Sequence, residues 1–224
     1  MDEPVLLREV EARFAVTAAS TPGWASPHPE REPLEEEYSR VSDPARWRIE
    51  GARALAWTLA LTGLGLASRE EVGPSGVAAS TRGAWRVVPR AAGALSVLVV
   101  GTRSDDGLLV DVELHAGEPP VVVLGLDCHC DACDSGSADV LETQDDAWLE
   151  VVSGALVHLE APGRVLTTSR GGWSESWSPG AAGPERGASR LADHEDRDAD
   201  LAAVRRGGAP DPRWRRVVHG APWG

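Results

Sequence analysis

Every cysteine of the chain lies in one short stretch, "DCHCDACDSG" at 127–136, where Cys128, Cys130 and Cys133 alternate with Asp127, Asp131 and Asp134. In this C-x-C-x-x-C spacing three thiolates can face one soft ion, zinc above all. A tetrahedral site takes four ligands, and there is no fourth cysteine. His129, between two of the thiols, is expected to point elsewhere. His115 or His158, each on an expected strand, supplies the missing nitrogen if the fold brings it near.

The same stretch admits three other readings. From Asp131, "DACDSGSADVLE" has the oxygen spacing of a calcium loop, with Asp131, Ser135, Gly136, Asp139 and Glu142 in ligand or turn places. Its third place, however, is Cys133, a poor ligand for a hard cation, and the segment before it reads as a strand rather than a helix. Cys130 and Cys133 also form a C-x-x-C, and a following helix N-terminus would lower a thiol pKa. The neighbouring aspartates would raise it, and the βαβ setting of disulfide-exchange folds is missing. The plainest reading, and the one the sequence favours, is a capped turn. A strand ends at Asp127, Ser135 or Ser137 caps a helix, and the cysteines fill space beneath the turn.

Other chemistry-bearing residues form no complete set. Ser174 and Ser176 in "GGWSESW" do not make a nucleophile elbow. Glu35, Glu36 and Glu37 read as a solvated charge run, and His28 among prolines as a loop-packing residue. Trp47, Trp57 and Trp148 fit helical core or boundary positions. Trp24, Trp173 and Trp223 sit in loops, where packing is favoured over lining a groove.

Composition narrows the function classes. The 224 residues carry a formal net charge of −13, so a phosphate backbone would be repelled and nucleic-acid binding is not expected. All basic residues are arginine, which excludes Schiff-base and P-loop lysine chemistry. The acidic, amphipathic start "MDEPVLLREVEARF" is unlike a signal peptide. The longest apolar run, "ALAWTLALTGLGLA", is too short to span a bilayer. Clustered thiols in such a chain stay reduced, so a cytoplasmic setting without membrane contact is expected.

The elements that must position these residues follow from periodicity. Leu6, Val10, Phe14 and Ala18 share one face, so residues 4–19 read as a helix. A second helix begins after Asp43-Pro44 and stops near Gly63, with Ile49, Ala52, Leu55, Ala56, Leu59 and Ala60 as its buried stripe. From about residue 77, "AWRVVPR", "LSVLVVGTR", "LLVDVELHA" and "PPVVVLGLD" read as strands, with a hairpin at "RSDDGLL". Alternation in the third strand places Asp111, Glu113 and His115 on one wet face. "SADVLETQDDAWLEVV" returns to helical spacing, and "ALVHLEA" with "RVLTTS" forms a closing hairpin. The fold class is α+β: N-terminal helices packed on an antiparallel β-meander, with a further helix and hairpin. Residues 1–178 are expected to form a single domain. Residues 179–224 are read as a linker, "SPGAAGPERGAS", and a charged tail whose tryptophans dock back. The acids around Asp193–Asp200 and Arg213, Arg215 and Arg216 read as a solvated face.

"TPGWASPHPE", "EEEYSRVSDPARWR", "CDACDSGSADVLE" and "GGWS", in that order, resemble an uncharacterised bacterial domain-of-unknown-function family from GC-rich genomes. The resemblance covers roughly residues 1–178 and includes Cys130, Cys133 and Asp134; it implies no activity, cofactor or partner. The chain is therefore read as a non-enzymatic binding or interaction module, with a possible protein partner. The alternative is a zinc-binding protein, structural or hydrolytic, using Cys128, Cys130 and Cys133. A pocket holding a strongly perturbed His–carboxylate pair would argue against the first reading.

Overall fold

The computed structural model describes residues 2–72, 82–126, 128–169, 172–177 and 189–224; the linker read at 178–188 lies outside them. Among the described residues, four α-helices and nine strands form an α+β fold. Helix α1 spans Glu3–Thr17, capped by the Asp2 carboxylate on the Val5 N–H. Asp43 caps a short 3-10 turn, Pro44–Trp47, that leads into α2, Arg48–Gly63. The Asp-Pro signal thus starts the helix where its unsatisfied N–H groups need an acceptor.

Strands β1 (Ala67–Glu71), β2 (Arg82–Pro89), β3 (Val97–Arg103), β4 (Leu109–Ala116) and β5 (Val121–Leu124) form an antiparallel meander in chain order. Helix α3, Ser137–Val152, follows the cysteine loop. A second sheet has the order β8-β7-β6-β9, built from β6 (Val157–Ala161), β7 (Arg164–Ser169), β8 (Gly172–Trp177) and β9 (Arg216–His219). Helix α4, Ser189–Arg205, precedes β9. The short edge strands β1, β8 and β9 carry weaker patterns than their partners and emerge only through pairing. β9 lies against β6, with Leu159 opposite Val217.

Helix α2 is buried on more than one side. Trp57, Ala60 and Leu61 enter a core shared with Leu6, Val99, Leu114 and Trp148. The expected stripe is only partly right, because Leu55 is half-buried and Leu59 exposed, whereas Glu50, Arg53 and Thr58 are buried. The charged groups tolerate burial because they are paired. Arg53 meets Asp145 and Glu11, each within 2.8 Å, and the Trp57 indole N–H donates to Asp145 at 2.7 Å. Trp223 is 2% exposed in this same core, so the C-terminal residues do dock. The acid–arginine face is not simply solvated, because buried Asp200 accepts from the Trp214 indole and from Arg213.

Gly51 sets the distance between α2 and the meander. A Cβ at this position would lie 2.2 Å from the carbonyl oxygen of Leu109, so only glycine lets the helix rest on β4. Opposite, β4 carries a bulge. Val110 pairs with Thr102 and Glu113 with Val100, so Asp111 and Val112 together face Gly101. Asp111 takes a left-handed conformation, φ 53°, which aspartate tolerates better than most residues.

Candidate functional site: a cysteine loop and the cavity beside it

Between β5 and α3 the chain is pinned by its aspartates. Asp131 accepts from Arg40 Nε at 2.7 Å, from the Ser42 hydroxyl at 2.6 Å and from the Ser42 N–H at 2.9 Å. The Arg40 hydrogen bond, followed by those of Ser42, holds this carboxyl well below the usual carboxylate range. Asp134 is buried, accepts from the Trp24 indole N–H at 2.9 Å and from the Gly136 N–H at 2.8 Å, and pairs with Arg46 at 2.8 Å. Arg46 in turn lies over the rings of Trp24 and Trp47. His28 Nε2 sits 2.9 Å from the Asp131 carbonyl oxygen, and buried Glu37 pairs with Arg31 at 2.7 Å. The segment from Trp24 to Trp47 therefore straps the cysteine loop onto α2.

These contacts revise several sequence expectations. Asp131 is committed to Arg40 and Ser42 and begins a 3-10 turn, so no calcium loop forms. Helix α3 has Gly136 at its N-cap with no side-chain cap, because the Ser137 hydroxyl bonds Trp24 instead. Gly136 has φ 96°, and a Cβ there would sit 2.6 Å from the Ser26 nitrogen. Glu37 is a buried ion-pair partner rather than part of a solvated run. Ser174 is exposed on β8.

The strap brings the three sulfurs together. The Sγ atoms of Cys128, Cys130 and Cys133 all lie within 4.8 Å of one another, and no disulfide joins them. Cys130 is buried; Cys128 and Cys133 are exposed, which is not how space-filling cysteines sit. Hydrogen bonding from Cys128, with backbone N–H groups of Ser39 and Cys133, pulls the Cys130 thiol down to about 7. Cys130 and Cys128 push the Cys133 thiol up to about 12. This cluster could hold a metal ion, and it is the group of converging ligand atoms found among the described residues. Neither histidine expected as a fourth ligand joins it. His115 stands 3.5 Å from Glu113, and His158 lies between Thr167 and Glu160.

His129 does point away from the sulfurs, toward a cavity of about 60 Å³. Its ring stacks on Trp47, with centroids 4.1 Å apart and planes 12° apart. Nε2 is 2.9 Å from Glu50 Oε1, and Nδ1 is 3.1 Å from Asp111 Oδ1. Glu50 is oriented by the bulge, since its Oε2 accepts from the Val112 N–H at 3.2 Å. Gln144 of α3 donates from Nε2 to the Glu50 carbonyl oxygen at 3.2 Å. Glu50, Asp111 and Gln144 went unnoticed in the sequence as site residues. The one available signal was an acidic residue, Glu50, inside a helix whose other charged residues are the arginines Arg48 and Arg53.

The sequence profile of one family matches residues 10–223, nearly the whole chain. The chain belongs to DUF6226, a family of unknown function. No curated protein and no solved structure matches it. The DUF6226 match runs across α4 and β9, beyond the limit near residue 178 that the quoted motifs implied. Strap, cysteine loop and cavity all lie inside it. No described helix is long and apolar enough to cross a membrane.

Proposed function

We propose that this DUF6226 protein is a metal-binding protein. Cys128, Cys130 and Cys133 hold one zinc-class ion, and the ion fastens the loop that forms one wall of a ligand-binding cavity. The observation that carries this reading is the convergence of three sulfurs within 4.8 Å. Thiolates about 2.3 Å from a tetrahedral zinc stand about 3.8 Å apart, so small side-chain rotations close the site. Backbone N–H groups directed at Cys130 are the outer support that thiolate sites use. The exposure of Cys128 and Cys133 leaves the fourth position to water or to a ligand from solution.

Binding, rather than acid–base catalysis, suits the cavity. Both ring nitrogens of His129 already face carboxylate oxygens, leaving neither open to exchange a proton with a bound molecule. Thiol–disulfide exchange is the weaker reading of the loop, because the lowered thiol, Cys130, is the buried one, and exchange needs an accessible thiolate. Three reduced thiols side by side suit a cytoplasmic setting. A net charge of −13 argues against a nucleic-acid partner.

Elemental analysis tests the reading on protein purified without chelator or affinity metal, beside a Cys128→Ser/Cys130→Ser/Cys133→Ser variant. One equivalent of zinc, lost in the variant, is the expected result. Cobalt loading should then give thiolate charge-transfer absorption. No stoichiometric metal in the parent protein, or equal metal in both, overturns it.

A further inference from the structure

Among the described residues, the group of converging ligand atoms contains sulfur alone. The described carboxylates and the histidine of the cysteine loop are committed elsewhere. Asp131 is held by Arg40 and Ser42, and Asp134 by Trp24, Gly136 and Arg46. Both ring nitrogens of His129 face carboxylates. An ion that needs only three bonds is satisfied by such a set, whereas zinc must take its fourth ligand from solution.

Charge points the same way. The three arginines of the strap are each paired with a carboxylate: Arg31 with Glu37 at 2.7 Å, Arg40 with Asp131 at 2.7 Å and Arg46 with Asp134 at 2.8 Å. These cations are spent, so the charge on the sulfurs is left for the bound ion to balance. Three thiolates around a monovalent ion keep two negative charges, and around a divalent ion one. A trivalent ion leaves none. Cys130 is buried, where residual charge is costly. Cys128 and Cys133 are exposed, so an incoming species meets two thiols at the surface before the third.

We infer that the proposed three-cysteine metal site, on which this assignment rests, takes a trivalent, three-coordinate metalloid of the arsenic(III) class in preference to zinc. Arsenous acid brings three hydroxides. Each thiol passes its proton to one of them, three As–O bonds break, three As–S bonds form and three waters leave. No oxidation state changes. The arsenic lone pair fills the fourth corner, where zinc would hold water, and the product is neutral. Soft thiolate sulfur is the donor that such an ion favours.

The test is arsenite titration of the reduced 224-residue chain, read by mass spectrometry for bound arsenic and by thiol titration for cysteines left free. One arsenic per chain with all three thiols protected is expected. Excess arsenite should also release any bound zinc, read with a chromogenic chelator. Phenylarsonous acid is the control, because carbon fills one valence of its arsenic and two thiols satisfy it. Cys128→Ser and Cys133→Ser, both at exposed positions, should each weaken arsenite by roughly a hundredfold or more, since the third sulfur binds intramolecularly. Phenylarsonous acid should lose far less in the same variants. Two protected thiols per arsenic, undiminished arsenite binding in either variant, or equal losses for the two reagents overturns the inference. Zinc content is measured on the same samples. Arsenic held by three thiols in protein that purifies without zinc defeats zinc as the resident ion alone. Stoichiometric zinc that excess arsenite leaves in place defeats the arsenic assignment alone, and protein that takes up neither defeats both.

Discussion

His129 Nε2 stands 2.9 Å from Glu50 Oε1, across 79 residues of sequence. The contact joins helix α2 to the cysteine loop. Glu50 belongs to the helix resting on the bulged strand, and His129 to the loop whose flanking cysteines converge on the other side. Whatever fixes the sulfurs also fixes the imidazole, because His129 is directly bonded in sequence to both Cys128 and Cys130.

Gly51→Ala should disturb this arrangement through the backbone. On an exposed helix the change gains about 1 kcal/mol. Here the added Cβ would lie 2.2 Å from the Leu109 carbonyl oxygen, so a net loss of about 3 kcal/mol is expected, at the upper end for overpacking. Urea unfolding measures it, and a neutral or stabilised variant would show that α2 does not rest on β4 as described.

Asp134→Ala removes one buried carboxylate from the Trp24 indole, the Gly136 N–H and the Arg46 guanidinium at once. A loss of about 3 kcal/mol is expected, as for breaking other buried pairs. Arg48→Ala provides the contrast, because the Arg48–Asp106 pair is partly exposed and its loss should cost under about 1 kcal/mol. Denaturant midpoints for the two variants should differ accordingly.

Acid should loosen the strap. The Arg31 hydrogen bond, with the Leu34 N–H, lowers the Glu37 carboxyl from its ordinary 4.5 to about 2. A group lowered in the folded state stabilises fully above its unfolded value and loses that contribution as pH falls from about 4.5 to about 2. Glu37→Gln should therefore flatten part of the stability slope in that window. Parallel slopes for parent and variant would remove Glu37 from the acid response.

In protein stripped of metal, ultraviolet thiolate absorbance should reveal one ionisation near 7, and Cys128→Ala should move it upward toward the ordinary 9.0 by removing the hydrogen bond that stabilises the Cys130 thiolate. An unmoved midpoint would assign the early ionisation to another thiol.

The α+β class, the start of α2 at Asp43-Pro44, the hairpin turn at Gly107 and the clustering of three thiols are all local consequences of residue type and spacing. Caps, turns and short cysteine spacings are written in nearby residues, so the sequence alone determined them. The partners of Asp131 and Asp134, the exclusion of His115 and His158 from the sulfurs, the docking of β9 and the meeting of Glu50, Asp111 and Gln144 around His129 were not determined that way. Gly51 permits the close approach of α2, and the bulge at Asp111–Val112 sets the Val112 N–H against Glu50 and the Asp111 carboxylate against His129. Both effects depend on which surfaces touch, and long-range packing decided them.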